Sequence, residues 1–231
     1  DKPSDVQGLS LGANYLPAEE IGGDLYDLIK LEDKFIFYLV DITGHGIDGA
    51  FLNVFVKEAI NNFLVTNDQR KEISPQKIME HINQRLRDEK FPEDYFICLL
   101  LFVVDLNSYK VKYANAGFQS LPLLAHKGEV KELTTSELPI SLAISSSEYE
   151  FPEGSFYLKE EDVLLAATDG LIEEEARGEI YSLERLSNNL KINQHYGPQL
   201  IMDEIINDFH QFRDKPQSDD ITFLILKRDK S

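Results

Sequence analysis

Residues 95–106 are strongly apolar and rich in branched side chains, Asn107-Ser108 makes a turn, and residues 110–114 alternate between apolar and polar. A buried strand, a turn and an alternating partner make an antiparallel hairpin. Residues 28–40 repeat the pattern as two apolar segments around Glu32-Asp33-Lys34. Short strands are expected near 121–124 and 155–158, a buried strand over 162–167, and a last strand over 221–226. Ile47, Ala50, Phe51, Val54, Phe55, Ala59 and Phe63 recur at helical spacing, and residues 67–71 form a polar break. Pro75 then opens a helix carrying Ile78, Ile82 and Leu86 on one face. Residues 182–190 read as a short helix, and 198–212 as a clear one with Leu200, Ile201, Ile205 and Phe209 aligned. Helices come in pairs instead of alternating with strands. The class is therefore α+β, with helices covering antiparallel sheets, and not a parallel α/β fold.

Among 231 residues there are 41 acidic and 23 basic side chains, a net charge of −18. Such a balance argues against nucleic acid and anionic membrane, which need a basic surface. An apolar fraction of 42% supports a proper core in one domain, or at most two small ones. The longest apolar run, residues 96–104, is nine residues, against about 20 for a membrane helix. One cysteine, Cys98, permits no internal disulfide and fits a reducing, cytoplasmic setting. Asp1-Lys2-Pro3-Ser4-Asp5 lacks a signal peptide's basic-then-apolar order and an initiator Met. The expectation is one domain, residues 1–231, cut from a longer protein.

Four acidic positions share a setting at a strand end or turn, beside Gly or another acid. They are Asp24 in Gly22-Gly23-Asp24, Asp41 before Ile42-Thr43-Gly44-His45-Gly46, Asp169 in Thr168-Asp169-Gly170, and Asp219-Asp220 before the last strand. Taken singly, each is ordinary turn chemistry. Together they suit a common sheet edge, where clustered carboxylates need cations, and hard ions such as Mg²⁺ or Mn²⁺ prefer oxygen donors.

Gly44-His45-Gly46-Ile47-Asp48-Gly49 matches G-x-G-x-x-G after a strand and before a helix, with Asp68 about 20 positions on. Against a dinucleotide site stand the charge of Asp41, the bulk of His45, and residues 64–68, which are too short a strand. Cys98 has no nearby Arg or His and reads as a buried core thiol. His81 falls in a helix, and His126, His195 and His210 sit among polar residues as surface or structural groups. His45 is placed to orient a carboxylate or a metal-bound water.

The segments Pro17-Ala18-Glu19-Glu20-Ile21-Gly22-Gly23-Asp24-Leu25-Tyr26-Asp27, Val40-Asp41-Ile42-Thr43-Gly44-His45-Gly46, Tyr113-Ala114-Asn115-Ala116-Gly117, Thr168-Asp169-Gly170-Leu171-Ile172-Glu173 and Asp219-Asp220-Ile221-Thr222 occur in this order. Over residues 6–228 the chain resembles the SpoIIE/RsbU branch of the metal-dependent protein serine/threonine phosphatases, the protein phosphatase 2C superfamily. The resemblance implies a four-layer α-β-β-α sandwich with two central, mainly antiparallel sheets and two Mn²⁺ or Mg²⁺ ions at one sheet edge. It implies that Asp41 bridges the ions, that the Ile42 carbonyl ligates one, and that Asp24, Asp169 and Asp219 complete the site, directly or through waters. Asp219 matches the ligand position better than Asp220, and the residues alone leave the two open. Asp41 and Asp24 are the catalytic expectation.

The implied substrate is a phosphoserine or phosphothreonine protein, a small anti-sigma-factor antagonist. Regulation through an N-terminal segment or partner protein is implied, and a homodimer is compatible. The chain departs from relatives at Phe118, where His is common, which implies a changed surface near the site. It also lacks an Arg beside Gly22-Gly23-Asp24 to grip phosphate. The helix after the Asp41 loop is expected to couple that loop to whatever precedes the domain. The other readings are a pseudophosphatase acting as a protein-binding module and a dinucleotide-binding oxidoreductase.

Overall fold

Leucine, β-branched and aromatic residues together make up most of the strands of a computed structural model that describes residues 6–18, 22–42, 47–66, 73–135, 138–143, 146 and 149–230. Its contacts divide it into two units, one of residues 21–118 and 135–156, the other of residues 1–20, 119–134 and 157–231. The class is α+β with two five-stranded sheets, and every strand pairing registered in them is antiparallel. Among the described residues no helix is long and apolar enough to cross a membrane.

In the unit of residues 21–118 and 135–156 the sheet runs β2 (Leu25–Lys30), β3 (Lys34–Ile42), β4 (Ile97–Asp105), β5 (Lys110–Ala116) and β8 (Glu153–Tyr157). The turn between β4 and β5 is built by Asp105, whose carboxylate accepts from the Asn107 and Ser108 amides and from the Ser108 hydroxyl. Helices α1 (Ile47–Thr66) and α2 (Pro75–Asp88) share a core with Ile36, Tyr38, Val40 and Ile42 of β3 and Leu99, Leu101 and Val103 of β4. Ser74 caps α2 by accepting from the Lys77 amide, and Pro75 fills the first helical turn. Ile78, Met79, Ile82 and Leu86 of α2 are buried as its period predicts.

In α1 the buried stripe is Leu52, Phe55, Val56, Ala59, Ile60 and Phe63, while Phe51 is 62% exposed and Val54 67%. Phe55, Ala59 and Phe63 of the sequence-derived set are buried as expected, and Phe51 and Val54 are corrected to the exposed side. Apolar residues surround most of this helix, so periodicity alone cannot fix which arc turns inward.

The other unit's sheet runs β1 (Leu9–Leu16), β12 (Ile221–Arg228), β9 (Val163–Ala167), β6 (Leu123–His126) and β7 (Glu129–Glu132), beside a small hairpin of β10 (Glu175–Ala176) and β11 (Glu179–Ile180). The single-turn α3 (Asp169–Ile172) follows β9, and α4 (Leu183–Asn193) and α5 (Pro198–Phe212) complete the unit. Leu186 and Leu190 of α4 and Ile201, Met202, Ile205 and Phe209 of α5 pack with Leu165, Phe223 and Ile225 of the sheet. Arg185 locks the helix pair: its Nε and Nη2 reach both Asp208 oxygens, and its guanidinium stacks over Tyr181 and Phe212.

The dinucleotide reading fails on topology. Strand β3 is flanked on both sides by antiparallel partners, and α1 is followed by α2, so among the described residues β3 and α1 form no parallel crossover unit.

Candidate functional site

Hairpin register places the first two acids side by side. Leu25 pairs with Val40, so Asp24, one residue before β2, falls opposite Asp41 near the end of β3. Asp24 is buried at 9% exposure, and Asp41 is half-buried. The Asn53 side chain of α1 donates to the Gly23 carbonyl at 3.0 Å, which ties the helix to the residue before Asp24.

Ile42 pairs with Ile97, but Ile97 exchanges both of its backbone bonds with Ile140, at 3.0 Å each. Bonded and non-bonded pairs alternate along an antiparallel ladder. The Ile42 carbonyl therefore turns away from β4, towards the side on which Asp24 lies. The loop that follows, with Thr43 to Gly46 and hence His45, lies outside the described residues.

Asp169 and Asp219 form the second pair, in the other unit. The Thr168 amide donates to Thr222 O at 2.9 Å, and its hydroxyl accepts from the Thr222 amide at 2.9 Å, which fastens the end of β9 to the start of β12. A Cβ on Gly170 would stand 2.1 Å from Asp220 O, so only glycine lets the Asp169 turn come this close to the Asp219-Asp220 loop. Burial, then the negative charges of Glu173 and Asp219, push the Asp169 carboxyl above its ordinary value.

Asp219 and Asp220 have different work. Asp220 is 5% exposed, and its carboxylate accepts from the Ala18 amide at 2.8 Å and the Tyr15 hydroxyl at 3.4 Å. It fastens the chain beyond β1 to β12. The exposed Asp219 accepts from the Asp220 amide at 2.8 Å and faces Asp169 electrostatically.

Pairwise, then, the chain sets Asp24 beside Asp41 and Asp169 beside Asp219. Among the described residues no group of three or more His, Cys, Asp or Glu is placed to hold a metal ion.

Glu174 escaped the sequence reading. It is 1% exposed, and its Oε2 accepts from the Ser218 amide at 3.3 Å and hydroxyl at 3.1 Å, one residue before Asp219. Its Oε1 is buried with no hydrogen-bond partner among the described residues. Three consecutive glutamates, Glu173 to Glu175, gave no sign of which one turns inward.

The Tyr113 to Gly117 motif has an architectural role. Asn115 is 1% exposed, donates to Phe118 O at 2.9 Å and accepts from the Phe118 amide at 2.8 Å, closing the turn in which Gly117 takes φ +84°. Phe118 is itself 6% exposed, so this departure alters packing and not an exposed surface.

Cys98 is half-buried, not fully buried, and its Sγ would crowd any side chain at Gly117. His81 packs on Phe63, and burial lowers its pKa. His126 pairs with Asp162.

Comparisons place this arrangement. The chain matches the family model of Stage II sporulation protein E (SpoIIE) over residues 32–229. It is 23% identical to the phosphoserine phosphatase RsbU of Bacillus subtilis (strain 168) over 230 residues, covering 98% of this chain and 65% of that protein. The SiaA-PP2C domain of Pseudomonas aeruginosa superposes with a TM-score of 0.80 at 22% identity, covering 95% of this chain and 85% of that one. The catalytic domain of the serine threonine protein phosphatase PstP, solved in complex with 2 manganese ions, superposes with a TM-score of 0.63 at 12% identity, covering 96% and 99%. The fold is that of the protein phosphatase 2C domains. The chain belongs to the SpoIIE family, and it spans less than two thirds of the length of the curated relatives it matches.

Proposed function

We propose that the chain is a metal-dependent protein serine/threonine phosphatase domain. The observation that carries this reading is the pairing of the family-motif acids, Asp24 with Asp41 by hairpin register and Asp169 with Asp219 across Gly170. The donors fit hard divalent cations: all are oxygens, the Ile42 carbonyl is turned away from β4, and negative charge is crowded around half-buried Asp169. Asp41 would be shared by two Mn²⁺ or Mg²⁺ ions, with Asp24, the Ile42 carbonyl, Asp169 and Asp219 completing the set. The fixed work of Asp220 on Ala18 and Tyr15 supports Asp219 as the ligand of the two.

When bound, the ions supply a deprotonated water at neutral pH and neutralise the phosphoryl oxygens. The chain's part is to hold the donors in register and to order the loop that bears Asp219. Four carboxylates without cations would repel a phosphate dianion. The substrate would be a phosphoserine or phosphothreonine on a partner protein, a small anti-sigma-factor antagonist. A regulatory segment or partner would act through α1, which Asn53 ties to the residue before Asp24.

Turnover of p-nitrophenyl phosphate tests the reading. Activity is expected with Mn²⁺ or Mg²⁺, to vanish in excess chelator, and to return when metal is restored. Undiminished turnover in chelator would remove the metal from the account. No turnover of any ester, even with metal and the full-length protein, would make the chain a protein-binding module.

A further inference from the structure

Beside the Asp219 loop lies a depression of about 500 Å³ between the end of α5 and the chain beyond β1. Two cations line it, Arg213 and Lys215, beside the His210 imidazole and against one acid, Asp214. Neither Arg213 nor Lys215 makes an ion pair with a described residue, whereas Arg85, Arg185, Lys57 and Lys112 are each matched to a carboxylate. A helix C-terminus favours cations, which accounts for His210 and Arg213. Lys215 lies beyond the cap and has no such reason to be there.

The depression is also joined to the proposed metal ligand. Gln217, in its wall, donates from Nε2 to Leu16 O at 2.8 Å and to Asp219 O at 3.2 Å. Ala18, in the same wall, donates its amide to Asp220. Arg213 is half-buried with its guanidinium over the Phe209 ring, 5.7 Å from the centroid, so its charge is held in place.

A chain of net charge −18 repels an acidic partner over most approaches. Unmatched cations next to the reacting site are where such a partner can dock. We propose that this depression binds an acidic segment flanking the phosphorylated residue of the substrate protein, and so selects substrates by the charge around the phosphosite. The proposal rests on the phosphatase reading for what it selects, and on the depression alone for what it binds. Charge at such a rim governs association and partner choice more than the chemical step.

The test uses two phosphoserine peptides of equal length, one with Asp and Glu flanks and one with Asn and Gln, alongside p-nitrophenyl phosphate, all with Mn²⁺. The acidic peptide is expected to show a KM lower by about tenfold, and Arg213→Glu with Lys215→Glu to erase the difference. Turnover of p-nitrophenyl phosphate by that variant is expected to stay within about twofold of the parent, because a small ester does not reach a rim charge. Fluorescence anisotropy of the labelled acidic peptide gives a readout independent of turnover, and binding should fall with salt and with the charge reversal. Lys215→Glu alone, outside the helix, carries the same expectation in weaker form if the double variant melts early.

Hydrolysis of all three substrates with no change in peptide KM or binding would overturn the docking surface and leave the phosphatase reading standing. Charge-dependent peptide binding with no hydrolysis of any ester would do the reverse. Binding of anionic phospholipid vesicles in place of the peptide, lost on charge reversal, would overturn the protein partner.

Discussion

Adjacent aspartates in one loop perform separable tasks, and the separation can be measured. Asp220→Ala removes a buried carboxylate that accepts from the Ala18 amide and the Tyr15 hydroxyl, and loss of these charge-assisted bonds should cost about 1–3 kcal/mol of stability in denaturant unfolding. Asp219→Ala removes an exposed carboxylate and should melt near the parent, yet weaken Mn²⁺ binding by at least about tenfold. Equal effects of the two on melting and metal affinity would contradict this division.

Arg185 acts at a different place. Chiefly through its hydrogen bonds, it holds the Asp208 carboxyl below its ordinary value. A depressed folded-state pKa contributes stability that is present above the unfolded value, near pH 4, and lost as pH falls through the lower folded value. The melting difference between parent and Asp208→Asn should therefore be full at pH 7 and shrink below about pH 4. A difference unchanged at low pH would assign the effect to packing.

The acids of the proposed site could be named from sequence because strand-end Asp beside Gly is a local signal. Their pairing was not, since Asp24 meets Asp41 through hairpin register and Asp169 meets Asp219 through a close approach at Gly170. Glu174 was invisible for a related reason. Its burial is decided by Ser218, 44 residues on.

At the scale of elements, the hairpins and α2 could be read because their periods are unambiguous. Helix α1 was found, but its buried arc was misplaced. Leu52→Ala should cost about 2–5 kcal/mol, as expected for a large-to-small change at a residue 1% exposed. Val54→Ala, at 67% exposure, should stay within about 0.5 kcal/mol. The reverse order in denaturant unfolding would restore the sequence-derived face. Strand β1 went unread for a different reason. Ser10, Gly12 and Asn14 dilute its apolar pattern, and its partner β12 begins at Ile221, far beyond any local window. Long-range pairing of this kind fixes the strand through its neighbour and not through its own propensity.

For the molecule as a whole, the net charge of −18 is the property most relevant to function. It disfavours polyanion binding by the surface at large, and under the docking proposal it would give the unmatched cations near Asp219 a selective value they would lack on a neutral protein. The family motifs run through both units. On the proposed phosphatase reading, Asp41 anchors a shared pair of divalent ions. The most direct measurement is a Mn²⁺ titration followed by electron paramagnetic resonance, on the parent and on Asp41→Asn. Two bound ions with a spin-coupled signal are predicted in the parent, with coupling abolished in Asp41→Asn while its thermal unfolding stays cooperative. An Asp41→Asn variant that binds and couples Mn²⁺ as the parent does would contradict the account.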